Sequence, residues 1–356
     1  MMSRRLKPVF FSILTSSSLL VTANGFAAEK AAAGTEHVIK DSFETIEQIK
    51  EALRAERLES SDLIIGIDFT GSNNHQGKKT FHGQNLHTIT KGKRNPYQAV
   101  IEIMSKTLDE FDDDGIYPAY IFGDAYTNEK TVRPLTETMP EEGYDGFESL
   151  AKAYEEAATN AINKALFSGP TTFAPMIRKA IEITKSKMED GAYPYHILLI
   201  LSDGEINHNK PDNLRAIKEA SKYPISIITV GVGDGPWGTM DTFDDEVPGR
   251  NFDNFQFVDF HKTVLSMDDI TQEDEDEFAT AALQEIPEQY MKIKELGLMN
   301  AKVEREVAEE YYPKPKISNQ YESRPANQHH QKIAPNKPKE EKKKKKKKFF
   351  GLFGKK

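Results

Sequence analysis

The sequence predicts an α/β fold, a doubly wound and mostly parallel sheet with helices on both faces. Short apolar runs of strand length alternate with longer helical segments, and the runs lack the in-and-out alternation of a sheet with one wet face. Polar, oxygen-rich loops follow the runs, which is where open sheets of this kind bind ligands.

The strand candidates are residues 63–67, 117–122, 196–201 and 225–232, each a nearly continuous apolar run. Helical segments fill the gaps at 96–111, 147–167, 174–188, 211–222 and 276–296. Several of them open with proline, whose missing N–H costs nothing in a first helical turn.

The ends of the chain differ from this body. Residues 1–27 place Arg4, Arg5 and Lys7 ahead of a broken apolar stretch and small residues Gly25 and Ala27. That order predicts a signal peptide cut after Ala27, with Ala28 as the alternative, because the stretch is shorter than the ~20 apolar residues a spanning helix needs. The chain is then expected to be exported to a periplasmic or extracellular space, possession of an intact N-terminus at the cytosolic face of a membrane being the alternative. Residues 28–42 read as a linker and 43–300 as the folded domain. Residues 301–341, rich in Pro, Asn, Gln and Lys, read as a disordered linker. Residues 342–356 form a tail of seven lysines, Lys342 to Lys348, followed by Phe349-Phe350-Gly351-Leu352-Phe353-Gly354-Lys355-Lys356. Basic charge beside large apolar side chains suits an anionic membrane surface. Nucleic acid, an acidic protein or plain solvation are the other readings of such a run.

Charge and composition exclude several classes. Residues 337–356 hold 11 lysines and two glutamates, so the net charge of −9 divides into +9 on the tail and −18 on the rest. An acidic body is unsuited to nucleic acid, whose phosphates demand Lys and Arg. The chain contains no cysteine, which removes disulfides, thiolate zinc sites, RING fingers and cysteine nucleophiles. No G-x-S-x-G elbow or acid/base pair is placed by motif, so the sequence offers no anchor for an enzyme.

Three loops carry oxygen ligands: Asp68-Phe69-Thr70-Gly71-Ser72-Asn73, Ser168-Gly169-Pro170-Thr171-Thr172, and Ser202-Asp203-Gly204-Glu205. Hydroxyls and carboxylates are the ligands of hard cations such as Mg²⁺, with Mn²⁺ or Ca²⁺ as alternatives. The same residue types also cap helices and turns, so one such loop alone would carry little weight.

At these residues the chain resembles a known family. The D-x-[ST]-x-S loop, the later Thr and the apolar strand ending in [ST]-D-G look like the metal-ion-dependent adhesion site of von Willebrand factor A domains, whose fold is Rossmann-like. Within that superfamily the chain resembles the copine branch, and more closely the A domains of plant RING-type ubiquitin ligases. The segments that carry the likeness are Gly66-Ile67-Asp68-Phe69-Thr70-Gly71-Ser72-Asn73, Asn95-Pro96-Tyr97, Phe122-Gly123-Asp124-Ala125, Gly169-Pro170-Thr171-Thr172-Phe173-Ala174-Pro175, Asn254-Phe255-Gln256-Phe257-Val258 and Glu285-Ile286-Pro287-Glu288-Gln289-Tyr290. The resemblance implies that Thr70, Ser72 and Thr171 contact the metal through hydroxyls, that Asp68 and Asp203 act largely through bound water, and that an open coordination position accepts a partner's carboxylate. Thr70 stands where many A domains have Ser, which keeps the hydroxyl. Copines owe calcium-dependent membrane binding to C2 domains, for which the residues before 43 leave no room, and the ligases owe their activity to a cysteine-rich RING. The expectation is therefore a non-catalytic, metal-dependent protein-binding module. The alternative is a copine- or ligase-like scaffold, or a secreted effector, acting on ubiquitin-system or membrane-trafficking partners.

Other features read as structural. Asp109-Glu110-Phe111-Asp112-Asp113-Asp114-Gly115 lacks the spacing of an EF-hand loop and reads as a solvated helix end. Gly231-Val232-Gly233-Asp234-Gly235 reads as a turn rather than a dinucleotide fingerprint. His75, His82 and His87 match no zinc spacing and are expected at the surface. Asp124 is open between a role beside the metal site and a turn, and Trp237 and Phe243 between an exposed recognition loop and packing on the sheet edge.

Overall fold

The computed structural model describes residues 39, 41–58, 60–112, 114–189, 194–204, 206, 210–245 and 247–299. The expected signal peptide, most of the first linker, Glu205, the second linker and the polybasic tail lie outside the described residues. Those described all belong to one of the chain's two compact units, Met1–Tyr311.

Eight strands are described: β1 (Ser61–Asp68), β2 (Ile116–Tyr117), β3 (Ala119–Phe122), β4 (Arg133–Pro134), β5 (Tyr144–Asp145), β6 (Tyr195–Ser202), β7 (Ile225–Gly231) and β8 (Phe255–Asp259). Six of them form one sheet in the order β4-β3-β1-β6-β7-β8, parallel except for β4 at its edge. The helices are α1 (Ile46–Ala55), α2 (Pro96–Leu108), α3 (Phe147–Lys164), α4 (Ala174–Glu189), α5 (Lys210–Ala220), α6 (Gly238–Asp245), α7 (Phe260–Thr263), α8 (Gln272–Leu283) and α9 (Ile286–Glu295).

The period of two along each strand divides the core in two. Leu63, Ile65 and Ile67 of β1, Ile197, Leu199 and Leu201 of β6, and Ile228 and Val230 of β7 enter the apolar cluster that holds buried residues of α1, α2, α3, α8 and α9. Ile64, Leu198, Ile200, Ile225 and Ile227 point the other way, into the cluster of α4, α5 and α6. Burial on both faces is why these runs carry no polar alternation, and each Leu or Ile removed from water contributes about 1.5–3 kcal/mol. Gly66 lies where α4 crosses β1: a Cβ there would come within 2.6 Å of Met176 Cγ.

Three boundaries depart from the sequence reading for identifiable reasons. The expected strand over 117–122 divides at Pro118, which has no N–H for a ladder. Its first part pairs with β5 in a separate two-stranded sheet, and only β3 joins the main one. The expected helix over 276–296 is two helices, because Pro287 in a continuous helix would collide with the carbonyl of Leu283. Instead, it occupies the first turn of α9. The third departure is α1, in one of the stretches expected to hold no element; another, 233–275, forms α6, β8 and α7. Thr45 caps α1 by accepting from the Gln48 N–H at 3.3 Å, and Ile46, Ile49 and Leu53 are buried.

β1 lies between β3 and β6, so the chain leaves it first to one side and later to the other. The carboxyl ends of β1 and β6 therefore flank the crevice at which such sheets bind ligands. Asp68 ends β1 and Ser202 ends β6, and Ile67 pairs with Leu201, so the two termini stand level.

Candidate metal site

Four of the five expected ligands are joined by direct hydrogen bonds. Ser72 Oγ donates to Asp203 Oδ1 at 2.9 Å, Thr70 Oγ1 lies 3.4 Å from the same oxygen, and the two hydroxyls are 2.9 Å apart. Asp68 Oδ1 accepts the Thr70 N–H at 2.7 Å, and its Oδ2 accepts the Ser202 hydroxyl at 2.7 Å. Thr171 is buried on a neighbouring loop. That loop is clasped to the first one, since Gly71 N–H donates to Ser168 O at 2.8 Å and Ser168 N–H to Phe69 O at 3.3 Å. Beyond Thr171 the loop is held by Asn213, whose Oδ1 accepts from the Thr172 hydroxyl and from the N–H groups of Phe173 and Ala174.

Asp68 and Asp203 are fully buried and face each other's charge. Burial raises the Asp68 carboxyl above its usual range, and burial together with the Asp68 charge raises Asp203 well above it. Asp203 Oδ2 is buried without a hydrogen-bond partner. A bare carboxylate oxygen in this setting costs free energy that a cation would recover. The donor set of two carboxylates and several hydroxyls also suits a hard cation, and a hydroxyl that donates to a carboxylate keeps its lone pairs for a metal. On these grounds the residues fit a divalent ion. Among the described residues no group of three or more His, Asp or Glu side chains gathers as a metal cage, so this is a hydroxyl-rich site.

Beneath the loop lies a buried polar pillar that sequence reasoning missed. The Asp68 carbonyl accepts from Asn73 Nδ2 at 3.2 Å and His87 Nε2 at 2.9 Å, while Tyr97 Oη, 3.3 Å from that carbonyl, donates its one proton to Asn73 Oδ1 at 2.8 Å. His87, expected at the surface, is fully buried and stacks on Tyr97 with ring centroids 4.0 Å apart. The reason is that the loop after the metal motif folds back, carrying Leu86 into the core. Burial lowers the His87 pKa to about 3, so the ring is neutral. A carbonyl only accepts, so Nε2 carries the proton and Nδ1 accepts from Tyr154 Oη at 2.8 Å. Tyr154 then accepts from Asn95 Nδ2 at 3.1 Å, and Asn95 Oδ1 accepts the Gln98 N–H at the start of α2. One direction of donation satisfies every member. Asn95-Pro96-Tyr97 was visible in the sequence as a family segment; nothing in the polar surroundings of His87 marked its burial.

The remaining candidates take structural positions. His75 and His82 are exposed, as expected. Asp124 is fully buried and holds a turn: Oδ1 accepts from Tyr126 N–H, Thr127 N–H and the Thr127 hydroxyl, and Oδ2 from Arg133 Nε at 2.7 Å. Just past α2, Asp112 and Asp114 accept from the Gly115 and Ile116 N–H groups; Asp114 is exposed as expected, but Asp112 is part-buried with its Oδ2 unpartnered, so the end is only partly solvated. In the Gly231–Gly235 turn, Asp234 accepts from Lys79 and Thr80. Trp237 covers Gly231, where a Cβ would meet the indole at 2.7 Å, and packs on Phe257; Phe243 is buried against Phe255. Both therefore pack on the sheet edge.

The family profile described as Copine matches residues 85–302. Copine family protein 2 of Caenorhabditis elegans is 47% identical over 269 residues, covering 75% of this chain and 3% of that protein. The E3 ubiquitin-protein ligase RGLG5 of Arabidopsis thaliana is 42% identical over 273 residues, covering 73% of this chain and 60% of that one. The ligase RGLG3 of the same plant is 43% identical, with 71% and 68% covered. The chain thus spans a small fraction of the worm protein and under two thirds of RGLG5. Among solved structures, a von Willebrand factor type A protein from Catenulispora acidiphila superposes with a TM-score of 0.36 at 16% identity, over 67% of this chain and 43% of that one. A mussel byssus proximal thread matrix protein described with a zinc-occupied MIDAS motif superposes with a TM-score of 0.37 at 13% identity, over 67% and 48%.

Proposed function

The chain belongs to the copine family, and from that premise we propose that its domain is a non-catalytic module that binds a protein partner through a divalent cation. The observation that carries this reading is the buried Asp68–Asp203 pair, with Asp203 Oδ2 left without a partner beside the hydroxyls of Thr70 and Ser72. Asp68, Thr70, Ser72, Thr171 and Asp203 would hold the ion, Mg²⁺ by the hardness of its ligands. Bound there, it would supply a coordination position for a partner's carboxylate. The chain's own contribution is to hold two carboxylates and the hydroxyls at fixed positions, through the Ser202 hydroxyl and through the Asn73 and His87 donors to the Asp68 carbonyl, with Tyr97 fixing Asn73.

The test is calorimetric titration of the full chain with Mg²⁺ and Mn²⁺, followed by affinity capture in Mg²⁺ against EDTA. Saturable metal binding and a captured protein lost in EDTA are expected. Absence of metal binding, or capture unchanged by Asp203→Ala, sinks the reading.

The identity to the RGLG ligases favours a second reading, a scaffold or secreted effector for ubiquitin-system or membrane-trafficking partners. For export, the expected mature N-terminus is Ala28 or Glu29, and an intact Met1 in a cytosolic fraction counts against it. For the tail, flotation with anionic liposomes should weaken when residues 342–356 are removed, since each lysine near such a surface contributes about 1 kcal/mol. Unchanged flotation ends the membrane proposal.

A further inference from the structure

The rim of the metal site carries an exposed aromatic ring in an otherwise tightly held turn. β3 ends at Phe122, and Gly123 follows with φ +75°; a Cβ there would fall 2.3 Å from Thr70 Cγ2. On the turn's other side, Gly169 packs against Gly123 O and Asn128 Cα, where a Cβ would lie 2.9 and 3.3 Å away. The turn 124–128 is therefore wedged between the loop that carries Thr70 and the loop that leads to Thr171. Ala125 N–H donates to Leu166 O at 2.9 Å, and Asp124 bridges to Phe167. At its tip Tyr126 is 67% exposed, the only aromatic ring among the exposed large apolar side chains of the described residues.

We infer that Tyr126, backed by Arg133, is a stacking platform at the rim that takes an aromatic side chain adjacent to the partner's metal-binding carboxylate. This rests on the metal-dependent binding proposed above. Three physical points carry it. First, the backbone that carries the ring is held in advance: Tyr126 N–H is bonded to Asp124 Oδ1 at 3.1 Å, and Asp124 is itself locked by Thr127 and Arg133, so the turn loses little order on docking. Second, exposed tyrosines beside arginines on a rigid support are the residue types that dominate interface energetics. Third, the Arg133 guanidinium lies 5.7 Å from the ring centroid. With one face already occupied by a cation, the platform disfavours a second cation and favours another aromatic ring.

The experiment uses the full chain in saturating Mg²⁺ and four small probes: acetyl-Asp-Phe-amide, acetyl-Phe-Asp-amide, acetyl-Asp-Ala-amide and acetyl-Asp-Lys-amide, titrated by NMR. At least one phenylalanine probe should bind about 2- to 10-fold tighter than the alanine probe, the range a well-placed aromatic pair supplies. Tyr126→Ala should remove that preference, Tyr126→Phe should keep it, and neither should change Mg²⁺ affinity. Equal binding of the phenylalanine and alanine probes, a preference for lysine, or a preference that survives Tyr126→Ala overturns the platform while leaving the metal reading intact. If no probe binds in Mg²⁺, the carboxylate-binding reading fails and the platform with it.

Discussion

Asp62 and Asp68 stand near opposite ends of the same central strand, both buried, yet the protein surrounds them differently. At the amino end Asp62 is neutralised from within: Lys187 Nζ lies 2.8 Å from Oδ2 and His196 Nε2 3.5 Å away, with Lys187 also 3.9 Å from Asp114. At the carboxyl end Asp68 and Asp203 have hydroxyls and N–H groups around them and, among the described residues, no ion pair to Lys or Arg. A buried charge left to itself is expensive, and the chain answers that cost with its own cation at the base. At the rim it leaves a place where an external cation would give the most. On the function proposed above, the difference separates a carboxylate held for stability from one held for binding.

The largest test of that comparison is Asp203→Asn, which preserves shape and removes charge. Loss of Mg²⁺ affinity by more than about 100-fold is expected, since even residues that only orient metal ligands typically contribute 10- to 100-fold. The metal-free variant should melt higher by a few degrees, because ~1 kcal/mol moves a domain of this size by about 2 to 4 °C. Calorimetry and thermal melts in EDTA measure the two effects. Metal binding at the wild-type level would break the comparison.

Next comes the pH response of the base. His196 is fully buried, both ring nitrogens lack hydrogen bonds, and burial lowers its pKa from 6.5 to about 4. The folded state thus binds fewer protons than the unfolded chain between those values, so stability is full above pH 6.5 and falls as pH drops toward 4. The His196 contribution to that loss is about 3 kcal/mol. Asp112 acts in the opposite direction: burial raises its carboxyl to about 6, so over pH 6 to 3.8 its protonation favours the fold. Urea unfolding at pH 7 and pH 4.5 of wild type and His196→Phe isolates the histidine. The variant should lose less stability on acidification, and equal losses would remove His196 from the account.

Sequence alone made the sheet and the ligand loops legible because both follow local rules. Runs such as 63–67 and 196–201 declare burial on two faces, and Asp68, Thr70, Ser72 and Asp203 sit just after strands, where open sheets bind. What escaped depends on contacts between distant residues. His87 is buried only because its loop folds under Asp68, and Ser202, visible in the third oxygen loop, finds its partner Asp68 Oδ2 only because β1 and β6 end level. The split of the last helix was within reach, since Pro287 stood in the sequence. Asp62 and His196 gave no sign, because an Asp and a His at strand starts become meaningful only once the register of β1 and β6 sets them opposite each other.

The smallest expected effect is the most exacting for the comparison. Lys187→Met removes the base's own cation while leaving the rim untouched. The Lys187 side chain is 41% exposed, which screens the pair, but Asp62 at 11% exposure is left without its cation, so the loss should fall between the ~1 kcal/mol of a surface pair and the ~3 kcal/mol of a broken buried one. Lys187 also lowers the His196 pKa by its charge, so without it the acid-induced loss should shift to lower cost, with His196 more readily protonated beside Asp62. Mg²⁺ affinity should stay within about twofold of wild type, because sites that share no partners are close to additive. A larger change in metal affinity would mean that the two ends of β1 are coupled through the strand, and that the counterion at the base helps set the position of Asp68 at the rim.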